Sequence, residues 1–111
     1  MEEVCAVAAD PDDLVEVFKA LGNPARLRIL GWLRDPDEHF PDWVSNADAE
    51  LGVCVNEIQA KAGLAQSTVS AYLSTLERAG LVRASRVGKW TYYQRVEERL
   101  TSVAEALGKQ V

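Results

Sequence analysis

Residues 56–95, NEIQAKAGLAQSTVSAYLSTLERAGLVRASRVGKWTYYQR, decide the fold of this chain. They begin with the residue types of a capping box, Asn56-Glu57-Ile58-Gln59, which predicts a short helix from Asn56 to about Ala62. A turn around Gly63 then leads into a longer helix over about 66–79, whose apolar residues recur at helical spacing.

Two strands follow these helices. The β-branched and aromatic residues over 81–87 and 90–95 are typical of a hairpin, with Gly88-Lys89 as its turn. Helix, turn, helix and hairpin in this order are the layout of a winged helix-turn-helix, in which the second helix enters the major groove of DNA. The sequence therefore predicts a mainly α domain with a small β-hairpin.

Positive charge is concentrated in the same stretch. Residues 61–95 contain six basic residues and one acid, Glu77, which gives a local net charge of +5. Residues 1–60 contain 13 acids and four bases, and the whole chain has a net charge of −5. An acidic protein with one basic segment is expected to bind nucleic acid through that segment, with an affinity that depends on salt.

Length and composition set further bounds. A chain of 111 residues is expected to form a single domain over 1–111. Its two cysteines are too few for a disulfide framework and fit reduced thiols. Because the chain has no long apolar run and its N-terminus lacks the basic start of a signal peptide, we expect a cytoplasmic protein without a membrane span.

Three more helices are predicted by apolar stripes. They cover 11–21, 24–34 and about 97–108, and the second has Asn23 as its cap and Pro24 in its first turn. The stripes consist of Leu14, Val17, Phe18 and Leu21 in the first helix, Leu27, Ile29, Leu30 and Leu33 in the second, and Leu100, Val103, Ala104 and Leu107 in the last. In so small a chain, apolar helices at both ends are natural oligomer surfaces.

A long acidic connection over 35–54 separates the second helix from the helix-turn-helix. Connections of this length are uncommon inside a compact domain. Phe40 and Trp43 predict that part of it packs onto the domain, since exposed aromatic residues on a mobile loop would be a liability. We expect this connection to be an ordered segment that contains one short helical turn.

The predicted DNA contacts fall into two groups. The start of the 66–79 helix is rich in small polar residues that can approach base edges, and an amide side chain there can pair with adenine. Basic residues near the turn and the hairpin tip suit phosphate oxygens. The expected groove contacts are Gln66, Ser67, Thr68, Ser70 and Ser74, and the expected phosphate contacts are Lys61, Arg86 and Lys89.

GLAQSTVSAYLSTLERAGLV followed by RVGKWTYYQ resembles the ArsR/SmtB family of bacterial winged-helix repressors. LGNPARLRIL resembles the second helix of that family, and GVCVNEI its metal-box region, so the resemblance covers about residues 20–95. It implies a homodimer with the first and last helices at the interface, which represses its own operon until an effector releases it from DNA. A palindromic operator would match the two-fold axis of such a dimer.

The chain departs from the family pattern at three places. Ala65 stands where the family has a serine, so the usual hydroxyl cap of the recognition helix is missing. Ala71-Tyr72 stand where an Arg-His pair is frequent, so the operator preference of relatives cannot be transferred. The connection before Cys54 is also longer than is usual in the family.

The effector is left open by the sequence. The first cysteine of the metal box is Cys54, but Asn56 occupies the second position, and a site for a thiophilic metal or metalloid ion would need further ligands such as Cys5 and His39. A disulfide between Cys5 and Cys54 would instead make a redox-responsive regulator. Alternatively, Cys54 is a small buried apolar residue, His39 is a solvated loop residue, and no inducer binds there.

Catalysis is not expected. A Cys54–His39 pair has no evident oxyanion hole or orienting third group, and the sequence contains no phosphate-binding glycine loop. If the protein does not bind DNA, the alternative is a protein-interaction module that retains the winged-helix layout. Charge reversal at Arg86 and Lys89 discriminates between the two, because only a DNA binder would lose affinity and salt dependence.

Overall fold

The structure, a computed structural model, describes residues 11–40 and 51–110. Its elements follow the predicted winged helix-turn-helix order, and the long connection contains the expected short helical turn and a short strand that the sequence did not predict. They are α1 (Pro11–Leu21), α2 (Pro24–Arg34), α3 (Pro36–His39), β1 (Val53–Cys54), α4 (Val55–Ala62), α5 (Gln66–Arg78), β2 (Val82–Val87), β3 (Trp90–Arg95) and α6 (Glu97–Gln110).

The start of α2 is fixed by the predicted cap. The Asn23 side-chain oxygen accepts hydrogen bonds from the backbone N–H groups of Ala25 at 2.8 Å and Arg26 at 3.1 Å. Pro24 occupies the first helical position, where its missing N–H is not needed. The turn between α1 and α2 is therefore closed by local hydrogen bonds.

The sheet has three antiparallel strands in the order β1-β3-β2. β2 and β3 form the predicted hairpin, in which Val82 pairs with Arg95 and Val87 pairs with Trp90. β1 adds a short outer strand, where Val53 pairs with Tyr93. Gly52, with φ +105°, precedes it, and a Cβ there would collide with the carbonyl oxygen of Tyr93, so only glycine permits this close approach.

The core lies between α5, the helices around it and one face of the sheet. The inward stripe of α5 is completely buried, and Phe40 from the long connection packs into the same core, as the sequence predicted. The Phe40 ring meets Trp32 edge-on, with ring centres 6.5 Å apart. Trp43 lies outside the described residues. Fully enclosed core side chains include Val17, Ile29, Val53, Ile58, Val69, Leu73, Leu76 and Leu81.

The predicted capping box of α4 is wrong. The helix begins at Val55 rather than Asn56, and Cys54 occupies the cap position without a side-chain hydrogen bond. Since β1 stays paired with β3 up to Cys54, the chain turns directly from strand into helix, and Asn56 already lies within the first turn. Tertiary pairing thus decides where this helix starts.

Two apolar stripes differ from the prediction. Leu27 is 53% exposed, whereas its neighbour Arg26 is half-buried and donates to two carbonyls at the end of α1. In α6, Ala106 is buried while Ala104 is exposed. Within the described residues, no helix is long and apolar enough to cross a membrane.

Candidate nucleic-acid interface

The first turn of α5 presents its polar residues to solvent. Ala65 is the cap residue, with φ −63° and ψ 149°, and its methyl group offers no acceptor to the first N–H groups of the helix. The absence of a side-chain cap is therefore confirmed. Gln66, Ser67 and Ser70 are exposed, while Thr68 and Ser74 are half-buried. The predicted groove contacts thus lie on α5 with unequal access to solvent.

The connection between α4 and α5 is held by local bonds. Gly63 adopts a left-handed conformation with φ +69°, and its N–H donates to the Gln59 carbonyl at 3.0 Å. The Gln59 side-chain amide donates to the carbonyl of Leu64 at 3.3 Å. These bonds fix the angle at which α5 leaves α4, which is what a recognition helix needs to enter a groove.

Lys61 lies at the end of α4 and is exposed. Its ammonium nitrogen lies 5.2 Å from the centre of the Trp32 ring on α2. A cation over an indole face is attracted by the ring quadrupole, so the position of this charge is set by Trp32.

The β2–β3 hairpin carries charge of one sign. Residues 78–96 contain five basic residues and no acid. Arg86 and Lys89 are both exposed near the turn at Gly88, which has φ +62°. Burial raises the pKa of the Tyr93 phenol above its usual value, so this neighbour of Arg86 stays neutral at physiological pH.

The basic surface extends onto α2, which the sequence analysis missed. Residues 24–34 contain three arginines and no acid, and Arg28 and Arg34 are exposed. Arg28 precedes Trp32 by one helical turn, so the two side chains lie on the same side of α2. Lys61 faces this side as well, because its ammonium lies over the Trp32 ring. The net charge summed over residues 1–60 is negative, because acids in the rest of that range outnumber the arginines of this helix. The sum therefore did not reveal that the helix itself is basic.

Arg99 connects both terminal helices to the end of α5. Its two terminal nitrogens donate to the two carboxylate oxygens of Asp13, each at 2.8 Å, and its Nε donates to the Ala79 carbonyl at 3.2 Å. These hydrogen bonds lower the pKa of Asp13 and raise the pKa of Arg99. A Cβ on Gly80 would lie 3.2 Å from the Arg99 Nε, so glycine leaves room for this side chain.

Arg26 makes a second connection to α5. Its Nε donates to the Ala20 carbonyl at 2.6 Å and one terminal nitrogen donates to the Lys19 carbonyl at 3.2 Å. The guanidinium carbon lies 5.3 Å from the centre of the Tyr72 ring. The last carbonyls of α1 and the middle of α5 are thereby linked through one side chain.

The proposed metal ligands are only partly described. Cys54 is a half-buried free thiol at the end of β1, and His39 is the half-buried last residue of α3. Cys5 lies outside the described residues, so the trio remains a prediction. Over 11–40 and 51–110, no three His, Cys, Asp or Glu side chains are grouped as a metal site would require.

Comparisons with known proteins agree with this geometry. Residues 42–86 match the model of the IclR helix-turn-helix domain. The chain is 47% identical over 97 residues to the uncharacterized HTH-type transcriptional regulator YbzH of Bacillus subtilis, covering 87% of this chain and 97% of that protein.

Two solved structures extend the comparison. The homodimeric winged helix-turn-helix DNA-binding domain of Mb0332 from Mycobacterium bovis, described as a possible ArsR-family transcriptional regulator, superimposes with a TM-score of 0.62 at 30% identity, over 88% of this chain and 78% of that one. The ArsR family transcriptional regulator RHA00566 shares the fold, with a TM-score of 0.69 at 23% identity over 93% of this chain and 91% of that one. The chain belongs to the ArsR family of winged helix-turn-helix transcriptional regulators.

Proposed function

We propose that this regulator is a homodimeric repressor that binds a palindromic DNA operator in the cytoplasm and is released by an effector. The observation that carries the proposal is the exposed polar start of α5 beside a hairpin region, residues 78–96, that has five bases and no acid. Polar groups at a helix start suit the major groove, and an acid-free basic ribbon suits the phosphate backbone.

In this proposal the residues fall into two groups, those that contact the major groove and those that contact phosphates. Gln66, Ser67 and Ser70 supply the exposed polar groups for the major groove, with Thr68 and Ser74 at its margin. Lys61, Arg86 and Lys89 neutralise phosphates. Ser70 is followed by Ala71, whose exposed methyl group has no hydrogen-bonding atom, and by the half-buried Tyr72. Base recognition in this proposal therefore depends on the first turn of the helix, where Gln66 is the side chain able to make a bidentate contact to adenine.

The homodimer is supported by apolar residues at the two ends of the chain. Val15 and Phe18 on α1 are 47% and 40% exposed, and Leu107 on α6 is 38% exposed. The Mb0332 domain, which shares this fold, is described as homodimeric. A two-fold dimer would repeat α5 and the hairpin, and so would require two half-sites in the operator.

Selection of binding sequences from a library of random DNA duplexes tests the proposal. We expect enrichment of an inverted repeat, and with three phosphate contacts per protomer the plot of log affinity against log salt should have a slope of about −5. The double variant Arg86→Glu/Lys89→Glu should flatten that slope by about 3 to 4. Lys109→Glu, an exposed charge reversal at the end of α6, should leave it unchanged. A flat salt response of the parent protein would reject the proposal.

For the effector, we propose to separate three cases: a thiophilic metal or metalloid ion held by Cys54, Cys5 and His39, a disulfide between the two cysteines, and no inducer at these residues. Thiolate and imidazole are ligands that such ions prefer. Mass spectrometry under native conditions separates the cases. A bound metal mass that a chelator removes supports ligation, a loss of two hydrogens supports the disulfide, and an unmodified chain argues for no inducer at these residues.

A further inference from the structure

The tip of the β2–β3 hairpin carries an exposed apolar pair among its charges. Val87 and Trp90 are directly opposite each other in the last register pair before the turn, and they are 47% and 44% exposed. Opposed residues of an antiparallel pair project from the same face of a sheet. Together they form an apolar ridge, Val87 and Trp90, at the end of a highly charged hairpin.

The ridge does not face the core of the domain. The hairpin side chains in the main core cluster include Val82 and Tyr93, which lie five and three residues, both odd numbers, from Val87 and Trp90 along their strands. Tyr92 shares the face of the ridge and is buried farther from the tip. Since successive residues of a strand point to opposite sides, the ridge projects from the other face. Arg86, next to Val87, therefore projects from the opposite face of the hairpin to the indole.

The charges around the ridge specify what can cover it. The Lys89 ammonium lies 5.7 Å from the centre of the Trp90 ring, and the nearest acid along the chain in either direction lies outside residues 78–96. An apolar surface whose charged neighbours along the hairpin are all cations is complementary to a partner that offers both negative charge and apolar area. The sugar-phosphate walls of the DNA minor groove have both properties, and apolar side chains are frequent at such contacts.

We propose that Trp90, supported by Val87, packs against the deoxyribose walls of the minor groove while Arg86 and Lys89 bind the adjacent phosphates. This inference rests on the proposed function and adds an apolar contact to it. The Lys89 ammonium lies over the Trp90 ring, so one contact helps to orient the other. The indole adds affinity that does not release counterions, in contrast to its charged neighbours.

The experiment uses the full chain and a duplex enriched from the random library. Trp90→Ala removes one indole contact from each protomer of the dimer and should weaken binding by roughly 30-fold, the lower end of the scale for two aromatic contacts to nucleic acid, with the salt slope unchanged. Arg86→Ala should instead flatten the slope by about 2 for a dimer. Melting temperatures of the free variants verify that each is folded.

Tryptophan fluorescence supplies a direct readout. In the parent protein, the duplex should shield part of the emission from acrylamide quenching. Trp90→Phe should remove the larger part of that protection while keeping the fold, and Trp32→Phe, at the ring beneath Lys61, should remove only the smaller part. Undiminished protection in Trp90→Phe, or unaltered affinity of Trp90→Ala, overturns this inference and leaves the repressor intact. A change in the mass of the free dimer in Trp90→Ala, with unaltered DNA affinity, assigns the ridge to a protein interface and also overturns it. A library without enrichment rejects the proposed function itself, and the ridge contact with it.

Discussion

Arg99 is the side chain through which the two terminal helices meet the end of α5. Its guanidinium and the Asp13 carboxylate are 14% and 26% exposed, so their bidentate pair is largely shielded from water. A shielded pair that loses one partner leaves a charge without compensation, which is more costly than the loss of a surface ion pair. The stability of the α1–α5–α6 arrangement therefore depends on both residues.

Asp13→Asn should destabilise the protein by about 1–2 kcal/mol at neutral pH, around the lower end of the range for hydrogen bonds to charged groups, because the pair is partly exposed. Folding lowers the pKa of Asp13 from 3.8, so the ionised carboxylate contributes its full stabilisation above that value. The contribution is lost as the pH falls through the lowered folded-state pKa. Urea unfolding at a series of pH values should show the difference between parent and variant shrinking on acidification.

Glu105→Gln is the matched control for that series, because Glu105 is an exposed carboxylate on α6. We expect it to change the free energy of unfolding by no more than a few tenths of a kcal/mol, as is usual for exposed sites. A difference between parent and Asp13→Asn that stayed constant down to acid pH would show that the carboxylate charge is not what stabilises the contact.

Sequence reasoning cannot find this pair, because Asp13 and Arg99 are 86 positions apart and each is an ordinary polar residue within its own helix. The same holds for Arg26, whose inward position depends on carbonyls at the end of α1 and on Tyr72. By contrast, the exposed polar residues at the start of α5 follow directly from helical periodicity, since the stripe of Val69, Leu73 and Leu76 fixes which side is buried.

At the scale of elements, local signals place the long helices and the hairpin to within a few residues. α1 and α2 have the bounds that their prolines, caps and stripes predict. β1 was not predicted, because a two-residue strand has no periodicity and exists through its pairing with β3. The start of α4 was misplaced for the same reason, since the strand before it determines where the helix begins.

The contribution of a side-chain cap to stability can be tested at the start of α5, where the cap residue is Ala65. Ala65→Ser should stabilise the protein by about 0.5–1 kcal/mol, because a serine hydroxyl at this cap position can accept a hydrogen bond from a first-turn N–H group. The backbone at Ala65 is already extended, with φ −63° and ψ 149°, as a cap residue requires. Thermal unfolding should show a rise of several degrees in the midpoint.

Ala71→Ser is the control, because residue 71 is exposed in the interior of the same helix. Serine there has no free N–H groups to cap and a lower helix propensity than alanine, so a decrease in midpoint is expected. Shifts of the same sign in both variants would mean that the hydroxyl at residue 65 does not act as a cap.

The whole molecule combines two surfaces of different character. Residues 78–96 are basic and free of acids, while the chain as a whole has a net charge of −5. Approach to DNA is therefore attractive through the hairpin and α5 and repulsive through most other orientations. The apolar residues left exposed on α1 and α6 belong to neither the core nor this basic surface, which leaves association of two chains as their role in the proposed dimer.

Phe18→Glu should convert that dimer into a monomer. Phe18 is 40% exposed and lies one turn from Val15 on α1, so a carboxylate there would place one like charge from each protomer in the proposed interface without disturbing the core. Loss of a central aromatic contact of this type costs about 2 kcal/mol or more, a rise of roughly 30-fold in the dimer dissociation constant. Sedimentation equilibrium of the free protein measures it.

The matched control is Leu64→Glu, at a residue that is 37% exposed in the turn before α5 and belongs to neither terminal helix. It should leave the dimer mass unchanged. Phe18→Glu should also lose affinity for an inverted repeat while still binding a single half-site weakly, because its α5 and hairpin are intact but no longer paired. A monomer that retained full affinity for the repeat would contradict the symmetric dimer, since two linked reading helices are the reason such an operator has two halves.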